Sequence, residues 1–282
     1  MSCFNRRVVS SSAPLERLPE LASRVCALAQ QAGEKIMRFY HNGASVTLKA
    51  DASPLTAADE ASHAFLVKSL EGLLPDVPVV SEESEGAMNR SIGHSTLFWL
   101  VDPLDGTKEF VKRTNEFTVN IALLEDQAAV LGVVHAPAVN ITYYGGREFG
   151  AWYRTGAEPP RRITTRRADP SQLAVVASTD HAGPLVDAML AGLINPQLKS
   201  MGSSLKFCLV AEGAADLYLR DLPTMEWDTA AAQCVVEAAG GGVYSLDGQT
   251  LRYGKPGLKN PAIITAGDAR LDWRRLISNA AA

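Results

Sequence analysis

The stretch Leu97-Phe98-Trp99-Leu100-Val101-Asp102-Pro103-Leu104-Asp105-Gly106-Thr107 decides how this chain is read. Five apolar residues in a row, ended by a turn signal, are the pattern of a strand buried on both faces. Asp102 then stands at the carboxyl end of that strand, where open α/β folds bind their ligands. Pro103 fixes its own φ and restrains its neighbours, and Gly106 permits a tight turn. Two carboxylates three residues apart, with the Leu104 carbonyl between them, can converge on one point. The competing reading is a plain Asp-Pro/Asp-Gly turn, which is common at strand ends.

Two other strings tip the balance toward a site. Glu82-Glu83 follows a short apolar strand at 77–81, and Trp227-Asp228 opens a helical stretch in which Asp228 would otherwise be only an N-cap. Three strand-end or helix-start carboxylate motifs in one chain favour a shared site. Oxygen donors without His or Cys select Mg²⁺, Mn²⁺ or Ca²⁺ over zinc. Mg²⁺ is typically held by a few carboxylates together with waters and a substrate phosphate. So many like charges imply more than one cation, and two ions about 3.5–4 Å apart suit an in-line phosphoryl displacement.

Toward the N-terminus, apolar residues at Leu21, Val25, Leu28, Ala32, Ile36 and Phe39 recur at helical spacing over 18–40, and His41-Asn42-Gly43 stops the run. A second helix fits 57–74, with Thr56 as N-cap and Asp59 at the capping-box position. The stretches 117–124, 128–135, 139–144 and 149–153 are β-rich and joined by short turns, as in an antiparallel meander. The Pro- and Arg-rich stretch 154–171 is the expected boundary. Beyond it, strands near 173–178, 216–219, 242–245 and 262–265 alternate with helices near 183–193, 204–212, 229–239 and 269–278, an α/β pattern. The expected organisation is an extension at 1–17, an α+β half at 18–153 carrying the metal motifs, and an α/β half at 172–282 carrying the substrate motifs.

Composition narrows the function classes. Of 282 residues, 46% are hydrophobic and 21% charged, which is ordinary globular usage. The net charge of −4 offers no basic excess for a nucleic acid. Cys3, Cys26, Cys208 and Cys234 form no C-x-x-C, and the histidines at 41, 63, 94, 135 and 181 have no metal-ligand spacing. Ser203-Ser204-Leu205-Lys206 matches S-x-x-K, but its partner strings S-D-N and K-T-G are missing, as are G-x-S-x-G, G-x-G-x-x-G and the Walker A string. Arg6-Arg7 is followed by only Val8-Val9 before three serines, short of the roughly 7–15 apolar residues of a signal peptide. No run reaches the roughly 18 apolar residues of a membrane span. The expected location is cytoplasmic, with a peripheral place at the inner face of the cell membrane as the variant.

W-L-V-D-P-L-D-G-T-K-E-F at 99–110, S-E-E at 81–83 and P-T-M-E-W-D-T-A-A at 223–231 together resemble the Mg²⁺-dependent, lithium-sensitive inositol monophosphatase superfamily, in the same order and over about residues 20–268. K-E-F after D-G-T, and G-S-S-L-K-F-C at 202–208, are similar to its 3′(2′),5′-bisphosphate nucleotidase branch. The resemblance implies an α/β (α+β) sandwich, the layered αβαβα arrangement of inositol monophosphatase and fructose-1,6-bisphosphatase. It also implies hydrolysis of adenosine 3′,5′-bisphosphate to AMP and phosphate, by direct attack of water that the metals activate and without a phosphoenzyme.

Residue by residue, the resemblance makes Glu82, Asp102, Asp105, Asp228 and the Leu104 carbonyl ligands of two or three Mg²⁺ ions. Asp59 and Thr107, with Glu82, would serve catalysis. Gly106, Thr107, His181, Ser203, Lys206, Arg220 and Asp228 would contact substrate. Lys206 and Arg220 also stand out unaided, as basic residues in the apolar stretches K-F-C-L-V and L-Y-L-R, though a rim cation would look the same. Ala232 and Leu222 occupy places where the family commonly has glycine. The expected partner is a small nucleotide bisphosphate, with no nucleic acid and no integral membrane segment; oligomeric state stays open. The alternatives are an inositol or sugar monophosphatase, and a nucleotide-binding regulator that kept the fold and lost catalysis.

Overall fold

The computed structural model describes residues 17–42, 46–48, 54–84, 96–177 and 183–280. Helix α1 (Leu18–Asn42) buries Leu18, Leu21, Ala22, Val25, Ala29, Ala32 and Ile36, the three-to-four spacing of a single face. The antiparallel pair β1 (Val46–Leu48) and β2 (Pro54–Thr56) leads into α2 (Ala57–Leu73). That helix begins on the expected capping box: Ala58 N–H donates to Thr56 Oγ1 at 3.2 Å, and Thr56 N–H donates to Asp59 Oδ2 at 2.8 Å.

Seven strands form the first sheet in chain order: β3 (Val79–Ser81), β4 (Leu97–Asp105), β5 (Thr118–Glu125), β6 (Ala128–Ala136), β7 (Ile141–Gly146), β8 (Gly150–Thr155) and β9 (Arg161–Ile163). β3 runs parallel to β4 and every later pair is antiparallel, so the expected meander is present. The short α3 (Thr107–Lys112) separates β4 from β5. The second sheet is built from β10 (Ala174–Ala177), β11 (Gln197–Ser200), β12 (Leu217–Arg220), β14 (Gly242–Ser245) and β16 (Ile263–Ala266), in the order β11-β10-β12-β16-β14. A small pair, β13 (Thr224–Met225) and β15 (Lys259–Asn260), stands apart. The remaining helices are α4 (Pro184–Ala191), α5 (Leu205–Ala211), α6 (Ala230–Ala238) and α7 (Trp273–Ala280).

Alternation along the strands stacks these elements into five layers. Trp99, Val119, Ile121, Leu123, Leu131 and Val133 face α1 and α2. The opposite face, with Phe98, Leu100, Ala122 and Val134, packs on Phe207, Val210, Cys234 and Val235 of α5 and α6. Those helices also cover Val176, Tyr218, Val243 and Ile263 of the second sheet. Its outer face, with Val175, Leu217 and Ile264, meets Val186 and Met189 of α4 and Trp273 of α7. The fold is therefore the expected αβαβα sandwich. Gly132 makes the central contact possible, because a Cβ there would stand 2.2 Å from the Ala231 carbonyl oxygen and 2.7 Å from the Cys234 Cβ.

The short elements β1, β2, α3, β13 and β15 were not expected, and three further features also differ from the sequence reading. β4 continues through Asp105 instead of ending at Asp102. β9 lies inside the Pro- and Arg-rich stretch, and β11 was not expected. Both are edge strands, mostly exposed, where pairing needs no alternating apolar residues.

Candidate active site

The site grows out of an irregularity in β4. Asp102 pairs with Asn120 and Asp105 with Thr118, so three steps on β4 oppose two on β5. In a regular strand, residues three apart point to opposite faces; one extra residue turns both carboxylates to the same side. Pro103, which lacks an amide hydrogen, is tolerated at such a bulge. Two hydrogen bonds fix the shape: Leu104 N–H donates to Asp102 Oδ1 at 3.0 Å, and Ser62 Oγ of α2 donates to the Pro103 carbonyl at 2.8 Å. Gly106 ends the bulge at φ 88°, left-handed backbone that glycine adopts without strain.

Asp228 arrives from the other half of the chain, on the 3₁₀ turn Glu226–Asp228 that leads into α6, its Oδ2 accepting from Met225 N–H at 2.8 Å. Asp102, Asp105 and Asp228 bring one carboxylate oxygen each to within 4.8 Å of one another. Glu82 follows β3, its N–H donating to the Val101 carbonyl at 3.1 Å. Burial raises the Asp102 carboxyl well above the usual range, and the charges of Glu82, Asp105 and Asp228 add to the rise. Asp228 is raised in the same way, by burial first and then by Asp105 and Glu82. Asp105 is also raised by burial, against the pull of Lys206 and of Ser204 N–H, which donates to its Oδ2 at 2.6 Å. Such a cluster strains toward neutralisation, by protons or by a cation.

On the flank, Thr107 Oγ1 lies 3.3 Å from Asp59 Oδ1 and 3.3 Å from the Leu104 carbonyl oxygen. Asp59 is buried, and its other oxygen takes both the N–H and the hydroxyl of Thr56. The cap of α2 therefore also aims a carboxylate at Thr107. A cavity of about 190 Å³ opens beside Asp105 and Asp228, lined by Gly106, Ser203, Lys206 and Arg220 among others. Lys206 is buried 5.6 Å over the Tyr218 ring, and burial lowers its pKa while Asp105 opposes the shift. Arg220 Nε is buried with no hydrogen-bond partner among the described residues.

Of the residues singled out from sequence, Asp102, Asp105, Asp228, Gly106, Ser203, Lys206 and Arg220 border one space, with Glu82 electrostatically coupled to it and Asp59 and Thr107 beside it. His181 lies outside the described residues. Sequence reasoning missed Thr118, Asn120, Ser204 and Glu226. Thr118 Oγ1 and Ser204 Oγ, 2.8 Å apart, tie α5 to β5, and Asn120 Oδ1 accepts from Ser204 Oγ at 2.8 Å. Glu226 is fully buried, two residues before Asp228, and accepts from the N–H groups of Gly254 and Lys255. The available signal was a polar residue inside an apolar run, as in T-V-N-I-A-L-L. Ala232 lies buried within α6, where a methyl group is accommodated.

The sequence pattern of the inositol monophosphatase family matches residues 18–276. The 3′(2′),5′-bisphosphate nucleotidase CysQ of Salmonella typhimurium is 46% identical over 83% of this chain and 94% of its own. The protein of that name in Haemophilus influenzae is 35% identical over 91% of this chain and 96% of its own. The crystal structure of CysQ from Bacteroides thetaiotaomicron superposes with a TM-score of 0.77 at 38% identity, covering 90% of this chain and 98% of that one. A fold in five layers, a convergent carboxylate set and these similarities lead to one conclusion: the chain belongs to the inositol monophosphatase family.

Proposed function

We propose that the chain is a metal-dependent phosphatase that removes the 3′-phosphate of adenosine 3′,5′-bisphosphate, giving AMP and phosphate. One observation carries the reading: three carboxylates converge within 4.8 Å beside a cavity that also holds Lys206 and Arg220. The 46% identity to a 3′(2′),5′-bisphosphate nucleotidase supports the choice of substrate.

The donor set fits Mg²⁺, being all hard oxygen. The mutual repulsion expressed in the raised carboxyl pKa values is relieved by divalent cations. Asp102, Asp105, Asp228, Glu82 and the Leu104 carbonyl would hold two or three ions. When bound, they supply charge neutralisation for the phosphate and acidify water.

The chain's own residues do the rest. Thr107 Oγ1 gives its proton to Asp59 Oδ1, which leaves an oxygen lone pair free to take a proton from the attacking water. Asp59 is the final acceptor and holds Thr107 in place. The amides of Gly106 and Thr107, with Ser203, would hold the scissile phosphate. Lys206 and Arg220, with His181, would take the second phosphate and the base, satisfying the unpaired Arg220 Nε. In this reading the half at 18–153 supplies most metal-facing groups and the half at 172–282 most substrate-facing ones, with Asp228 crossing between them.

Phosphate release from adenosine 3′,5′-bisphosphate and from inositol 1-phosphate, measured side by side in Mg²⁺, tests the proposal. The bisphosphate should be turned over at least about tenfold faster, one charge-assisted contact's worth. Equal or better turnover of the inositol ester overturns the substrate assignment.

A further inference from the structure

A cleft of about 890 Å³, far larger than the catalytic cavity, lies between α1 and the first sheet. Its floor is a cross-strand row: His135 on β6 pairs with Thr142 on β7, which pairs with Arg154 on β8. The row continues the α1-facing side of Leu131, Val133 and Tyr144. Asp102, Asn120 and Val134 form the corresponding row on the other face. The cleft and the carboxylate centre therefore occupy opposite faces of one sheet and share no lining residue.

The floor is unusual for a face that is otherwise apolar. Among the described residues Arg154 Nε is buried without a hydrogen-bond partner, and neither Arg154 nor Arg38 is ion-paired. Buried donors left unpaired are rare and expensive, and such a group calls for a ligand or a water. His135 is buried with Nδ1 2.9 Å from Thr142 Oγ1, and burial, aided by the Arg154 charge, holds its pKa down at about 4. The imidazole is thus neutral at pH 7 and adds no second positive charge beside the guanidinium. Arg38 and His41 stand at the rim on α1, and Gln30 and Asn140 also line the cleft; among the described residues the one acid in the lining is the exposed Glu34. A concavity of this size suits a small molecule, and a guanidinium with a buried unpaired Nε, with the exposed Arg38 lining the same cleft, suits a tetrahedral phosphate, which the planar Arg fork can grip with two parallel hydrogen bonds.

We infer that this cleft is a second anion site, separate from the phosphatase centre, that binds a phosphate dianion, free or carried on a small metabolite, with Arg154 at its floor and Arg38 at its rim. None of its groups serves the hydrolytic reading above, so it stands or falls independently.

The test is a ¹H–¹⁵N NMR titration read on the arginine Nε–H signals, with Arg154 assigned by Arg154→Gln. The probes are inorganic phosphate, the non-hydrolysable phosphonate analogue of ribose 5-phosphate, and ribose as the neutral control, all in Mg²⁺. The Arg154 signal should shift saturably with one or both anions and not with ribose. Followed on the Asn140 amide, Kd should rise at least about tenfold in Arg154→Gln, the loss of one charge-assisted contact, while the rate of phosphate-ester hydrolysis stays within twofold. Tighter binding of the phosphonate than of phosphate would identify an esterified ligand; equal binding would identify free phosphate. Arg38→Gln, at an exposed position on α1, gives a second reading if Arg154→Gln does not fold. No saturable shift with either anion, an equal shift with ribose, or unchanged binding in the folded arginine variants overturns the inference.

Discussion

Replacing Glu226 by alanine should loosen the turn that presents Asp228. The carboxylate is fully buried and accepts from Gly254 N–H at 2.6 Å, from Lys255 N–H at 3.0 Å and from Lys255 Nζ at 2.6 Å. A hydrogen bond to a charged group contributes roughly 1.5–3 kcal/mol net. Gly254 is exposed and the Lys255 side chain keeps 32% of its surface, so water can replace part of what is lost. We therefore expect Glu226→Ala to destabilise by about 3 kcal/mol, at the lower edge for breaking a buried pair. Glu226→Gln, which keeps one acceptor and loses the charge, should cost roughly half as much. Urea unfolding followed by tryptophan fluorescence reads both, with Trp227 adjacent as a local reporter. The same turn carries Asp228, so the Mg²⁺ concentration for half-maximal activity should rise in parallel. An alanine variant within about 0.5 kcal/mol of the parent, a change typical of a neutral surface substitution, and with unchanged Mg²⁺ dependence would mean that Glu226 does not hold this turn.

Asp59→Asn should lower kcat by about 10²–10⁴, the usual range for general-base assistance; its carbonyl oxygen can still accept from Thr56 N–H but its NH2 cannot accept from Thr107, so a stability loss of about 1–2 kcal/mol should accompany it in urea unfolding. Arg220→Met should raise KM for adenosine 3′,5′-bisphosphate by about 10–100-fold, one to two charge-assisted contacts, and leave KM for inositol 1-phosphate unchanged in the same assay. His135 titrates at about 4 in the fold against an ordinary value of 6.5, because burial disfavours its cation. A lowered histidine pKa gives stability that is present above pH 6.5 and is lost as pH falls toward 4. The loss is roughly 1 kcal/mol by pH 5.5. Urea midpoints of the parent and of His135→Gln between pH 7.5 and 5.5 should converge by that amount, and parallel curves would contradict it.

How much of this was legible in the sequence depends on whether a feature is local. The α2 cap was, because Thr56 and Asp59 are three residues apart and need no partner strand. The buried run into Asp102 and the Asp-Pro-Leu-Asp-Gly-Thr string were also legible, since patterning and turn chemistry carry them. The bulge was not: that β4 runs to Asp105 with one extra residue is a property of its register with β5, which depends on both strands. Edge strands β9 and β11 escaped because exposure removes the apolar signal that strand reading relies on. Ser204 could be read as part of S-x-x-K, but not as the group whose N–H reaches Asp105 across 99 positions. Arg154 fell in a stretch read as boundary, and only the row of three paired strands places it on a sheet face. Among the described residues no helix is long and apolar enough to cross a membrane.

The proposed role of Asp102, Asp105 and Asp228, whose carboxylate oxygens lie within 4.8 Å of one another, is to hold the cations of a nucleotide phosphatase. Its most direct test is phosphate release from adenosine 3′,5′-bisphosphate across a Mg²⁺ series, by the parent and by Asp105→Asn. The parent should be inactive in EDTA and rise to saturation with Mg²⁺, while the variant falls by at least about 10³-fold at every concentration, several kcal/mol of transition-state stabilisation. Turnover that survives EDTA, or an Asp105→Asn enzyme within tenfold of the parent, would contradict it.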